Sequence, residues 1–268
     1  MSHVPDTPEA LVADSHRQIQ RAWRYFARAL PGGGVIEQDG LLLTDARSPL
    51  AFMNAAFLTT LASDEDDLQR RIEAAAAHFR RRGLPWVFMP AEDLVAEPLR
   101  AHLDAITAAA GLQFMMPMTG MVAPALQPSA RPLPTLEYRA VTDEATRRAV
   151  ADINGEGYAM PGDLMHAATG VERLWVDMVG VVGYVDGEAV STASVTPVDQ
   201  TAYVCLVATR PGHQGKGYAD AVMRRALADA RREWGVQRTV LHATPAGRPV
   251  YARMGYADTN LFRVYVGA

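Results

Sequence analysis

One cysteine, Cys205, and one lysine, Lys216, are all that 268 residues contain of either type. A lone cysteine excludes an intrachain disulfide and any metal site built from several thiolates. The 25 arginines make up for the missing lysine, but 26 basic residues against 30 acidic ones leave a net charge of -4. Nucleic acid is therefore not an expected partner, because neutralising its phosphates needs a clustered basic excess. No apolar run approaches the roughly 18 residues of a membrane span, and the first ten residues carry acids and prolines where an export signal would be basic and then apolar. The reading is a cytoplasmic chain without a membrane partner. Aromatic residues are only 7% of the sequence, but 49% is hydrophobic and 21% charged, which is ordinary globular composition. At this length two domains are expected.

The strongest punctuation is Pro124, Pro128, Pro132 and Pro134, which forbid a regular helix or central strand. They mark a linker at 127–135 between a first half, 1–126, and a second, 136–268. In the first half Ile19, Trp23, Phe26 and Leu30 share one helical face, and a strand pair turns at Asp39-Gly40. Ser63 is placed as the cap of a helix from 64 to 82, which Gly83 ends. A strand at 86–89, a helix at 98–110 and a strand at 114–122 follow. The second half reads as a strand (136–141), a helix (143–153) and an aperiodic stretch to about 177. A hairpin around Asp186-Gly187 and a third strand (202–208) come next. A helix (217–234), a strand (236–243), a short helix (250–254) and a closing strand (261–266) complete it. The fold class is α/β in the α+β sense, with a mixed, mostly antiparallel sheet flanked by helices in each half.

The chemistry concentrates where the third strand runs through Val207, Thr209, Arg210 and Pro211 into Gly212-His-Gln-Gly-Lys-Gly-Tyr-Ala219 and then directly into a helix. Glycines let a backbone approach a ligand, and the first amides of a helix have no internal partner. With the positive end of the helix dipole and Lys216, they make an anion site. A Walker loop needs Ser or Thr after its Gly-Lys and a glycine where Arg210 stands, and a dinucleotide fingerprint needs a glycine where Asp220 stands. Both are excluded.

Gln214, Gly217 and Ala219 match the Gln/Arg-x-x-Gly-x-Gly/Ala motif, and Tyr251-Ala-Arg-Met-Gly-Tyr256 resembles the Tyr-x-x-x-Gly-Phe signature, of GCN5-related N-acetyltransferases (GNAT). The resemblance covers roughly residues 136–268. It implies acetyl-CoA as co-substrate, no metal, and a small-molecule primary amine as acceptor that attacks directly. It further implies that Val207 and Thr209 pair with the pantetheine arm, with the Val207 amide also polarising the thioester carbonyl. Gln214, Gly215, Gly217, Tyr218 and Ala219 would give amides to the pyrophosphate, beside Lys216, and Tyr251 would protonate the departing thiolate. Two positions depart from the family pattern. Tyr203 and Cys205 occupy the strand face where many members carry a basic carboxylate, leaving Glu156, Asp163, His166, His242 or water as base. Thr244 stands where asparagine is common.

The order of elements in the first half echoes the second, making it a degenerate GNAT-like copy. Asp64, Glu65, Asp66 and Asp67 crowd its corresponding helix start and repel pyrophosphate, so one coenzyme per chain is expected. The first half is left to complete the substrate cleft or to form a homodimer contact. Cys205, in an apolar strand, reads as an inert buried thiol rather than a nucleophile, and His242 as a structural histidine rather than a base. The rival to an enzyme is an acyl-CoA-binding sensor whose chemistry has lapsed.

Overall fold

The computed structural model describes residues 7–267 of the chain. They divide into two compact units, and neither is continuous in sequence. The first takes the described residues up to Met121 together with His242–Arg248 and Asp258 onward, and the second takes Val122–Leu241 and Pro249–Ala257.

In the first unit α1 (Pro8–Ala29) starts at Thr7, whose hydroxyl accepts from the Ala10 amide, and buries Ile19, Ala22, Trp23 and Phe26. The hairpin β1 (Gly34–Gln38) and β2 (Leu41–Asp45) turns on Asp39 and Gly40, both at positive φ, as the sequence predicts. Next comes β3 (Asn54–Leu58), a strand the sequence reading lacks. The helix α2 (Glu65–Arg82) is capped by Asp64 rather than Ser63. The Ser63 hydroxyl instead donates to the Asp64 carboxylate, which a helix start favours because an ionised cap accepts amide hydrogen bonds more strongly than a hydroxyl. Gly83 closes α2 in the left-handed conformation. After β4 (Trp86–Phe88), the single helix expected at 98–110 is two short ones, α3 (Glu97–Arg100) and α4 (Leu103–Ala109), which lead into β5 (Gln113–Ala123).

The second unit carries β6 (Glu137–Ala140), α5 (Glu144–Gly157), α6 (Gly162–Thr169), β7 (Val179–Val185), β8 (Glu188–Val198) and β9 (Thr201–Thr209). Then come α7 (Tyr218–Trp234), β10 (Thr239–Ala243) and α8 (Arg248–Arg253). A reciprocal box of Asp143 and Thr146 starts α5. β6 through β9 are antiparallel neighbours in chain order, and β10 joins parallel to β9. α7 lies against β7 and β8, burying Val222, Met223 and Ala226, while α5 lies against β8 and β9.

The last strand, β11 (Ala257–Gly267), does not close the second half's sheet as the sequence suggests. It is antiparallel to β4, with Tyr265 opposite Phe88 and Val266 opposite Val87, and lies between β4 and β5 in the order β1-β2-β3-β4-β11-β5. Tyr265 is buried in the first unit's core with Phe79, Trp86 and Phe88, and the rings of Phe79 and Trp86 stack at 5.2 Å. Strand partners are chosen by complementary buried faces far apart in sequence, which local pattern does not reveal.

Candidate active site

The site grows out of β9. Along most of its length β9 keeps register with β8, but the register slips between Thr192 and Ser194. Leu206 and Val207 there oppose the single residue Ala193, and Leu206 takes a φ of 51°. This is a β-bulge built on a leucine, a residue that pays a steric cost in the left-handed region and persists there only when its surroundings enforce it. On its other side β9 pairs with β10 only at Ala202 and Tyr203. Beyond Tyr203 the pairing with β10 ends, so the segment from Cys205 to Thr209 has no ladder with β10.

β9 leads into the glycine turn. The Arg210 amide donates to the Val190 carbonyl, ending the ladder, and Gly212, Gly215 and Gly217 all have positive φ. Gly217 is the residue before α7 and offers no side-chain cap. Among the described residues no backbone carbonyl accepts from the amides of Gln214 through Asp220, so the turn and the helix start present a row of free N–H groups. The Asp220 carboxylate is drawn off by Arg224 at 2.7 Å and by the Ser129 hydroxyl at 3.3 Å. Lys216 is exposed at the tip. Arg210 and His213 are engaged with acids, Arg210 with Glu156 at 3.0 Å and His213 with Glu188 at 3.8 Å. The Gln214 side-chain amide donates to the Thr209 carbonyl at 3.3 Å, and the Thr209 hydroxyl is bonded to that of Ser191 at 2.8 Å. All the residues expected to hold the coenzyme therefore lie on one strand, its turn and the first turn of one helix.

Tyr251 projects from α8, and its carbonyl accepts from the amides of Met254 and Tyr256, closing the turn at Gly255. Its ring lies 6.0 Å from that of Tyr256. Burial pushes the Tyr251 phenol far above the ordinary tyrosine range, with Tyr158 and Tyr256 adding to the effect. Cys205 is raised strongly by burial alone. It is a protonated thiol at neutral pH and a poor nucleophile.

Tyr158 escapes the sequence reading. It is the last residue of the α5 turn, and its hydroxyl donates to the Val207 carbonyl at 2.7 Å. Gly157 allows this approach, because a Cβ there would meet the Ala208 Cβ at 3.1 Å. A glycine-tyrosine pair in the aperiodic stretch after the helix expected at 143–153 carries no signal of this contact, which depends on how α5 meets β9.

The candidate bases fare differently. Glu156 is bound to Arg210, and His166 is hydrogen-bonded to Asp152 at 2.7 Å. His242 counts with the first unit, where it shares a hydrogen bond of 3.1 Å with Ser15. Burial, with His16 nearby, lowers it to about 3. Its position and its low basicity fit the structural role.

The first unit has a parallel pair of its own, β3 and β4, connected through α2 as β9 and β10 are connected through α7. Its opening is stitched shut: Ala62 bridges to Val95, its amide donating to the Leu94 carbonyl at 2.8 Å and its carbonyl accepting from Ala96 at 3.0 Å. The Asp64 carboxylate takes the Asp67 amide at the helix start. Arg71 fills the turn by donating to the carbonyls of Gly40, Thr60 and Leu61. Glu65, Asp66 and Asp67 line the first turn of α2 and oppose an anion there.

Residues 149–256 match the acetyltransferase (GNAT) family model. The whole chain is similar in fold to a GCN5-related N-acetyltransferase from Kribbella flavida, at 16% identity and a TM-score of 0.69, covering 94% of this chain and 95% of that one. It is also similar to a tandem GNAT protein from the clavulanic acid biosynthesis pathway, at 15% identity and a TM-score of 0.54, over 98% and 97% of the two chains. A GCN5-related N-acetyltransferase from Sphaerobacter thermophilus aligns at 14% identity and a TM-score of 0.55, over 97% and 93%. No curated protein matches the sequence significantly. The bulged strand, the uncapped turn and Tyr251 all fall within the segment that matches the acetyltransferase (GNAT) family model, and the chain has the fold of the tandem GNAT protein.

Proposed function

We propose that the second unit is an N-acetyltransferase that moves the acetyl group of acetyl-CoA to the primary amine of a small molecule. The observation that carries this reading is the row of free amides from Gln214 to Ala219, which continues from a strand whose bulged segment has lost its neighbour. A diphosphate fits the first and an extended amide-bearing arm fits the second. Bound acetyl-CoA supplies an activated acetyl thioester. Val207 and Thr209 hold the pantetheine arm by their backbone groups, and the Val207 amide polarises the thioester carbonyl. The amides of Gln214, Gly215, Gly217, Tyr218 and Ala219, with Lys216, hold the pyrophosphate.

The acceptor enters as the neutral amine, its ammonium proton already lost to solvent. Its nitrogen bonds to the acetyl carbon and the carbon–sulfur bond breaks. Tyr251 gives its phenolic proton to the sulfur, and the proton shed by the new amide nitrogen restores it through water. Because burial holds the phenol protonated, Tyr251 suits an acid rather than a base. Among the described residues no helix is long and apolar enough to cross a membrane.

Two measurements test the reading: calorimetry with CoA and acetyl-CoA, and thiol release against a panel of amines. Binding together with turnover that falls in Tyr251→Phe supports it. Binding without turnover for any amine would leave only a coenzyme sensor.

A further inference from the structure

The unit contains two left-handed residues that are neither glycine nor the usual aspartate of a hairpin, and they bracket one hydrogen bond. Leu206, at φ 51°, precedes Val207, while Ala159, at φ 52°, follows Tyr158. Around Ala159 the backbone is tied tightly: the Tyr158 amide donates to Asn154, that of Ala159 to Glu156 and that of Met160 to Gly155. A non-glycine residue in this region is strained, and strain of this kind concentrates at functional sites. The contact it holds in place is the donation from the Tyr158 hydroxyl to the Val207 carbonyl at 2.7 Å.

From this geometry, and resting on the acetyl-transfer reading above, we infer that Tyr158 is the positioning residue for the acceptor amine. A phenol that spends its one proton on a carbonyl keeps its oxygen lone pairs as acceptors. The Tyr158 oxygen is thus a fixed acceptor, held 2.7 Å from the carbonyl oxygen of the same residue whose amide the proposed mechanism assigns to the thioester. It takes an N–H of the incoming amine and leaves the nitrogen lone pair turned to the acetyl carbon. Tyr158 is 45% exposed, so an entering substrate can reach it, while its hydroxyl is held on the Val207 carbonyl. The desolvated hydroxyl is pushed up to about 12, with Cys205 adding to the shift, which keeps the proton in place at neutral pH. Tyr158 therefore orients the nucleophile and does not deprotonate it. It also gives the site a polar contact on the side where β9 offers only Tyr203 and Cys205.

The test is Tyr158→Phe, which removes one oxygen from a partly exposed ring. Misplacing a reactant by about 1 Å costs up to about 100-fold, so kcat/KM for the amine is expected to fall by about 10- to 100-fold. KM for acetyl-CoA and the calorimetric Kd of CoA should stay within about 2-fold, because a water-mediated or direct contact to a single carbonyl is a small part of coenzyme binding. The ratio of aminolysis to spontaneous hydrolysis of bound acetyl-CoA should fall by the same order as kcat/KM, since water needs no such orientation. In the coenzyme-free protein the Val207 carbonyl carbon resonance should shift on loss of the hydroxyl, with the rest of β9 unmoved. A loss of CoA affinity parallel to the loss of rate, an unchanged aminolysis-to-hydrolysis ratio or an unmoved Val207 carbonyl would overturn the assignment. A wild-type chain that binds no CoA would overturn the parent reading and this one with it, whereas wild-type turnover with an unaffected Tyr158→Phe overturns only this one.

Discussion

Ala219→Glu separates folding from coenzyme binding because the same carboxylate acts on them in opposite directions. Ala219 is the second residue of α7, whose start has no side-chain cap and whose first amides are free. In the coenzyme-free chain a carboxylate in the first turn meets the positive end of the helix dipole and stabilises it by about 0.3–1 kcal/mol. The melting temperature should hold or rise by up to about 3 °C. Against a bound pyrophosphate the sign reverses. Two unit charges about 6 Å apart at an effective dielectric of about 20 to 40 repel by roughly 1.4 to 2.8 kcal/mol, about 10- to 100-fold in Kd. Asp220 does not already exert this effect, since Arg224 and Ser129 hold its carboxylate. Gly217 is a poorer site for the test: at φ 84°, with a Cβ that would meet Pro134 at 3.4 Å, any side chain adds backbone strain. Calorimetric titration of CoA at low salt, with melting curves of the free protein, reads both effects, and raising the salt should narrow the difference in Kd. An affinity within 2-fold of wild type, or a loss of affinity matched by a loss of melting temperature, would refute the anion-site reasoning.

Four further outcomes are expected. Tyr251→Phe should lower kcat by about 10²- to 10⁴-fold with little change in the Kd of CoA; because burial raises its phenol, the wild-type rate should show no loss from this group between pH 8 and 10. Cys205→Ala should keep kcat within about 3-fold, and the wild-type thiol should resist iodoacetamide at pH 8, since only a thiolate reacts. His242 is lowered from 6.5 to about 3 in the folded state, so the unfolded chain binds more protons between those values. Its contribution is fully present above pH 6.5 and is lost as pH falls, by up to about 1.4 kcal/mol per pH unit, and denaturant titrations of His242→Gln should show a flatter slope in that window. Finally, calorimetry should return one CoA per chain, because the opening between β3 and β4 is bridged by Ala62 and Val95.

What could be read from the sequence was whatever local chemistry decides. Asp39-Gly40 and Asp186-Gly187 announce hairpins because only such pairs accept consecutive positive φ values. The glycine turn before α7 was legible for the same reason, its glycines at 212, 215 and 217 all taking positive φ. β3, with the sequence Asn-Ala-Ala-Phe-Leu, was not, since alanine and asparagine disfavour strands and its burial on both faces removes the alternation that marks a half-exposed strand. The break between α3 and α4 was hidden by a run of good helix formers. Tyr158 was beyond reach because its meaning lies in a contact between residues 49 apart in sequence. The bulge at Leu206 was equally silent, as leucine is an unremarkable strand residue and the slip is imposed by β8.

The placement of β11 has a consequence for how the molecule is made. A nascent chain exposes the hydrogen-bonding edge of β4 long before residues 258–267 leave the ribosome, and an open strand edge is where misassociation begins. The amino-terminal body must therefore wait, incomplete, through translation of residues 122–257. Excising either half at the proline-rich segment would give one fragment with a missing rib and another with a surplus one.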